Sequence, residues 1–97
     1  MTISEDSIVV AVKSQVSCQI DAETVVLHYD NGLYFGLNEV GTFIWNQVQQ
    51  PRKVQEVLDA ILCEYEVSRE QCERDLFTLL EELSEKGLVE VRDAKAA

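Results

Sequence analysis

The chain has 97 residues, 46% hydrophobic and 27% charged, with a formal net charge of −10. This is the size and composition of one small globular domain, not of a disordered or membrane-spanning chain: no apolar run approaches the roughly 20 residues a bilayer requires. A surface so acidic repels phosphate backbones and anionic membranes and attracts basic partners. Residues 1–97 are expected to form a single domain with an ordered core at about 8–91. Met1 to Ser7 lacks the basic head of a secretory signal, so a cytoplasmic protein is expected. Cys18, Cys63 and Cys72 are odd in number and form no C-x-x-C pair, which fits a reducing compartment and argues against a zinc or redox site.

The first half reads as strands. Ile8 to Val12 and Val16 to Ile20 are short β-prone runs, interrupted around Lys13-Ser14-Gln15. Thr24 to Tyr29 is a clearer strand, and Leu33 to Leu37 returns from it. Between them Asp30-Asn31-Gly32 signals a tight turn, because Asn and Gly tolerate positive φ. Residues 24 to 37 should form a hairpin, and residues 8 to 20 should add one more strand to it.

The second half reads as helices. Asn38 is a good N-cap, and Val40, Phe43, Ile44 and Val48 recur at helical spacing until Pro51 ends the helix. Val54, Val57, Leu58, Ile61 and Leu62 form the apolar stripe of a second helix closing near Tyr65. Ser68 with Gln71 is a capping box that opens a third helix. That helix carries Cys72, Leu76, Leu79, Leu80 and Leu83 on one stripe, with Phe77 at its margin. Cys63 and Cys72 should both lie on apolar faces as small hydrophobes. Gly87 suits a left-handed cap, Leu88 to Val91 a closing strand, and Arg92 to Ala97 should fray. The order predicts an α+β winged helix-turn-helix: an N-terminal three-stranded antiparallel sheet, then three helices, with 53–65 and 69–86 as the helix-turn-helix.

Catalytic chemistry is not evident. His28 is the single histidine, so no histidine pair is available to activate a serine or cysteine. Four glycines supply no phosphate loop. Glu81 and Glu82, adjacent on a helix, point about 100° apart and cannot share a proton. DNA binding is disfavoured as well. The third helix exposes Glu70, Glu73, Asp75, Glu81, Glu82 and Glu85 against only Arg69, Arg74 and Lys86, which opposes phosphate contacts.

Tyr34-Phe35-Gly36-Leu37-Asn38-Glu39-Val40-Gly41 followed by Ile44-Trp45 resembles the signature of PqqD-like proteins, the precursor-recognition domains of ribosomal peptide natural-product pathways. The likeness continues through Pro51-Arg52-Lys53-Val54, Glu73-Arg74-Asp75-Leu76 and Gly87-Leu88-Val89, covering about residues 20 to 91. Lys53 stands where the family usually has threonine, which should weaken the cap of the second helix. The cysteine-glycine turn of the quinone-cofactor branch is missing, and Leu27 to Trp45 looks more like the free-standing proteins of lasso-peptide pathways.

The resemblance implies a non-catalytic module that needs no cofactor or metal. It would take up the leader of a precursor peptide as an extra strand and present it to a leader peptidase, a cysteine protease. The implied contacts are Leu33, Tyr34, Phe35, Gly36 and Leu37 of the edge strand with Cys72, Asp75, Leu76 and Leu79 of the third helix. Phe35 and Leu37 are expected in the core rather than in contact with the ligand, as are Trp45, Leu80 and Leu83, and the better candidates for the groove are Tyr34 and Gly36, on the opposite parity, with Cys72, Asp75, Leu76 and Leu79. Alternatives are a peptide chaperone for a radical or other modifying enzyme, and an acidic protein-interaction module derived from a DNA-binding fold.

Overall fold

Turn chemistry organises the first half of the chain. The computed structural model describes residues 3–92. Strands β1 (Ile8–Ala11), β2 (Gln15–Ile20), β3 (Glu23–His28) and β4 (Leu33–Leu37) are followed by helix α1 (Glu39–Gln47), a short strand β5 (Arg52–Lys53), helices α2 (Val54–Glu64) and α3 (Arg69–Glu85), and strand β6 (Val89–Arg92).

Two hairpins build one antiparallel sheet in the order β2-β3-β4. In the β3–β4 turn only Gly32 takes a positive φ, 74°. Asn31 contributes through its side chain instead, its Oδ1 accepting from the Leu33 N–H at 2.9 Å. The β2–β3 turn is just Asp21-Ala22, with Asp21 at φ 55°, a left-handed conformation that Asp tolerates better than most residues. The β-prone residues 8 to 20 do not form one strand. They split, and β1 leaves to pair with β5 and with β6 in a second antiparallel sheet, ordered β5-β1-β6. Arg92, expected to fray, ends β6 opposite Ile8; residues 93–97 lie outside the described part of the chain.

The helices begin and end on identifiable groups. Asn38 Oδ1 accepts from the Gly41 N–H at 2.8 Å, which fixes the start of α1. That helix stops at Gln47, before Pro51. Gln49 Nε2 donates to the Trp45 carbonyl and the Ala11 N–H to the Val48 carbonyl, so the last turn is satisfied without running on to the proline. Ser68 Oγ caps α3 by accepting from the Gln71 N–H, but the capping box is only half closed because Gln71 Nε2 donates to Asp75. At the other end Gly87, φ 72°, makes a Schellman motif: Leu88 N–H donates to Leu83 O and Gly87 N–H to Ser84 O.

The weak point anticipated at α2 is relieved from elsewhere. Lys53 gives no side-chain cap, and its own N–H donates to Glu56 Oε1. The next two amides, of Val54 and Gln55, donate to the carbonyls of Ser7 and Glu5. The N-terminal turn therefore caps the second helix through its backbone.

Between the sheet and the helices lies one apolar core. Val26 and Leu37 bring it the inner face of the sheet, Ile44, Trp45 and Val48 the first helix, and Val57, Leu58 and Ile61 the second. Leu76, Leu80 and Leu83 of α3 complete it, with Leu88 beyond the helix end. Cys72 is buried as expected, but Cys63 is exposed. No helix among the described residues is long and apolar enough to cross a membrane.

Candidate functional site

The sheet order leaves the outer edge of β4 unpaired among the described residues, so that edge carries free backbone donors and acceptors. Alongside it runs a groove of about 400 Å³ between β4 and α3. Phe35, Gly36 and Leu37 form the β4 wall, and Cys72, Asp75, Leu76 and Leu79 form the α3 wall. Leu37, Ile44, Ile61 and Leu76 are nearly inaccessible and make the floor. Val40 on α1 and Val67 in the α2–α3 turn stand exposed at the rim.

Aromatic packing sets the width. Tyr65 lines the groove and meets Phe43 of α1 edge-on, ring centroids 5.7 Å apart, holding α1 against the end of α2. Lys86 Nζ sits 5.6 Å from the Phe35 ring centroid, tying the end of α3 to the edge strand. Gly41 lets α1 approach the end of β4 closely: a Cβ there would lie 3.1 Å from Leu37 Cδ2.

The groove is apolar with a polar lip. Asn38 and Gln71 contribute amides, and Asp75 the single carboxylate, which accepts from Gln71 Nε2 at 3.0 Å. Burial pushes the Cys72 thiol above its ordinary value, and the charges of Asp75 and Glu73 push it further against the opposing charge of Arg69, which lowers its reactivity. Among the described residues no group of three or more His, Cys, Asp or Glu side chains is arranged to hold a metal.

Of the nine residues singled out in the sequence, seven line this groove: Phe35, Gly36, Leu37, Cys72, Asp75, Leu76 and Leu79. Leu33 and Tyr34 share the edge strand but not the groove. Tyr34 is 73% exposed and, one position out of phase with Phe35 and Leu37, stands on the opposite face of the sheet. Tyr34, expected in the groove by its parity, is turned away from the helices by that same parity, whereas Phe35 and Leu37, expected only in the core, line the groove together with Gly36. Tyr65, Val67 and Gln71 were not anticipated. Periodicity cannot find them, because two of the three lie in or beside the α2–α3 turn.

The match to known proteins follows the same stretch of chain. A model of the family described as coenzyme PQQ synthesis protein D (PqqD) matches residues 23–89, the hairpin through the start of β6. The chain belongs to the PqqD family. Two solved PqqD-like folds superpose closely. One is TbiB1 in complex with the TbiA(beta) leader peptide, 42% identical, with a TM-score of 0.77, covering 84% of this chain and 94% of that one. The other is lasso peptide synthetase B1 complexed with the leader peptide, 27% identical, with a TM-score of 0.73 and coverage of 84% and 96%. No curated protein sequence matches.

Proposed function

We propose that this PqqD-family chain is a non-catalytic cytoplasmic module that captures the leader of a ribosomally made precursor peptide and presents it to a lasso-type leader peptidase, a cysteine protease. The observation that carries the reading is the free β4 edge beside an apolar groove. An extended peptide pairs with the edge through its backbone and places alternate side chains in the groove, which is strand addition with pocket selection. The likeness to two proteins solved with leader peptides supports the choice of ligand.

Magnitudes require both parts of the site. Four new main-chain hydrogen bonds contribute about 2–6 kcal/mol net. Micromolar affinity needs about 8 kcal/mol after the loss of rigid-body freedom. Two or three apolar leader side chains, at about 1.5–3 kcal/mol each when buried, supply the remainder.

Strand pairing has a period of two, so N-methylating leader positions one at a time should weaken binding alternately, by about 1–3 kcal/mol where a bond is lost. Hydrogen exchange should show new protection in residues 33 to 37 and around Asp75. Protection confined to α2, or no alternation along the leader, would refute strand addition even if binding were tight.

A further inference from the structure

Among the described residues the β2-β3-β4 sheet has a second free edge, on β2, across the sheet from β4. Its register with β3 runs unbroken from Gln15 opposite His28 to Ile20 opposite Glu23, so no bulge interrupts the strand. The strand contains no charged residue and no proline, and all of it except Gln15 is exposed. Edge strands ordinarily carry such features to avoid pairing, and β2 carries none of them. The Tyr29 N–H donates to the Ser14 carbonyl at 3.3 Å, which makes these two a hydrogen-bonded pair in the same register. Alternation from that pair turns the backbone groups of Val16, Cys18 and Ile20 toward β3. Those of Gln15, Ser17 and Gln19 point to the free edge.

We propose that β2 is a self-association edge, through which two copies of the chain pair antiparallel about a two-fold axis at Cys18. Such symmetry requires one residue to face itself, and Cys18 is the choice that uses the strand most fully. It sets Val16 opposite Ile20 of the second copy and Ser17 opposite Gln19, apolar against apolar and polar against polar. Ser17 and Gln19 have their backbone groups free at the edge, so the two Ser17–Gln19 pairs exchange two hydrogen bonds each. Cys18 then meets its copy in a non-hydrogen-bonded pair, with Cα atoms about 4.5 Å apart. The product is a six-stranded sheet with a β4 edge open at either end. Self-association goes beyond leader capture and does not depend on it.

Charge and pocket chemistry select the occupant. Lys13 lies just ahead of β2 and Asp21 just after it. Antiparallel copies therefore bring the lysine of each to the aspartate end of the other, twice over. A leader peptide finds less here, because the groove that receives apolar side chains has no lining residue on β2. The net charge of −10 on each chain opposes association, and the paired edge is short, so the dimer is weak and forms with rising concentration.

The test is the Ser17→Lys/Gln19→Lys double variant, which sets like charges directly opposite each other across the two-fold and leaves Val16, Cys18 and Ile20 in place. In sedimentation the wild type should pass from monomer at about 1 μM toward dimer at about 1 mM. The dissociation constant of the double variant should be about tenfold higher or more. In a Cys63→Ser background, diamide, which takes up two electrons and two protons from a pair of thiols, should join Cys18 to Cys18 between chains. The double variant should cross-link about tenfold more slowly, although its added positive charges lessen the general repulsion between chains. Its circular dichroism should match wild type and its leader affinity should stay within about twofold, since exposed substitutions change the fold little. Leader should leave the dimer intact. A wild-type protein that stays monomeric throughout this range would overturn the proposal, as would a dimer and a Cys18 cross-link that the double variant leaves unchanged. So would a dimer that leader dissociates, because the contact would then lie on β4. Leader that fails to bind the wild-type protein would overturn the capture reading alone.

Discussion

Thr24 and Thr42 are buried where α1 packs on β3, yet neither hydroxyl has a hydrogen-bond partner. An unpaired buried hydroxyl is a liability, and valine has nearly the same shape with a comparable preference for strands. Thr24→Val should therefore raise stability by about 1 kcal/mol in urea denaturation. A loss of stability would mean that the hydroxyl is satisfied after all. The cysteines provide a second test. Cys18 and Cys63 are exposed and Cys72 is buried with a raised pKa, so a thiol reagent at mildly alkaline pH should modify two sites quickly and one slowly. Saturating leader should slow Cys72 further and leave the other two unchanged. At this scale the sequence was readable wherever a side chain acts on its own backbone: Asn38, Ser68 and Gly87 perform the capping their types suggest. It misled at Cys63, which lies beside the buried Leu58–Ile61 stripe in sequence but faces solvent, because helical spacing locates an apolar face only to within a residue.

Among the elements, α2 depends most on a distant segment. Its first free amides are capped by the carbonyls of Glu5 and Ser7, and Ile3, just upstream, is buried. Deleting residues 1–7 should destabilise the fold by about 1–3 kcal/mol through two lost caps, with further loss from the Ile3 contact. Lys53→Thr should recover about 1 kcal/mol in the shortened chain and less in the full one, because the two caps compete for the same amides. A double-mutant cycle on thermal or urea unfolding measures the difference. The turn also carries a pH signature. Glu5 lies beside Glu73, and hydrogen bonding with that carboxyl, then a small desolvation and the Glu73 charge, raise its pKa above the ordinary 4.5. A raised carboxyl favours the protonated folded state, so this contribution is present below pH 4.5 and is lost as pH rises through the higher folded value. Glu73→Gln should flatten that dependence in unfolding curves taken across the window. Sequence patterns located the helices and the hairpin because each buries its own periodic stripe. They did not reveal β5, two residues long, or the departure of β1 to a second sheet, since both are defined by partners far along the chain.

Taken as a whole, the molecule separates its charges. The chain's eight lysines and arginines all fall outside residues 14–51, so the sheet and α1 carry only acidic charge of their own, and Lys86 of the α3 end is the cation set against the edge strand, at Phe35. A basic leader should associate faster at low salt, with the dissociation rate changing less, and stopped-flow binding across ionic strengths would measure both. An association rate indifferent to salt would assign selection to the groove alone. The groove itself was legible because β4 and α3 each announce their apolar positions. Its far end, at Tyr65 and Val67, was not, because nothing in a turn's sequence tells which wall it completes.

The two sheets also differ in when they can exist. Every pairing in β2-β3-β4 joins neighbours along the chain, from Gln15 to Leu37, whereas β1 must wait for Arg52–Lys53 and then for Val89–Arg92. During translation the sheet that bears the β4 edge can therefore assemble while the three helices are still unmade, and β1, although made before that sheet, is joined by its last partner only after α3 has been completed. Until then its apolar run Ile8-Val9-Val10 is exposed, and the nascent chain is at its most vulnerable to proteases and chaperones.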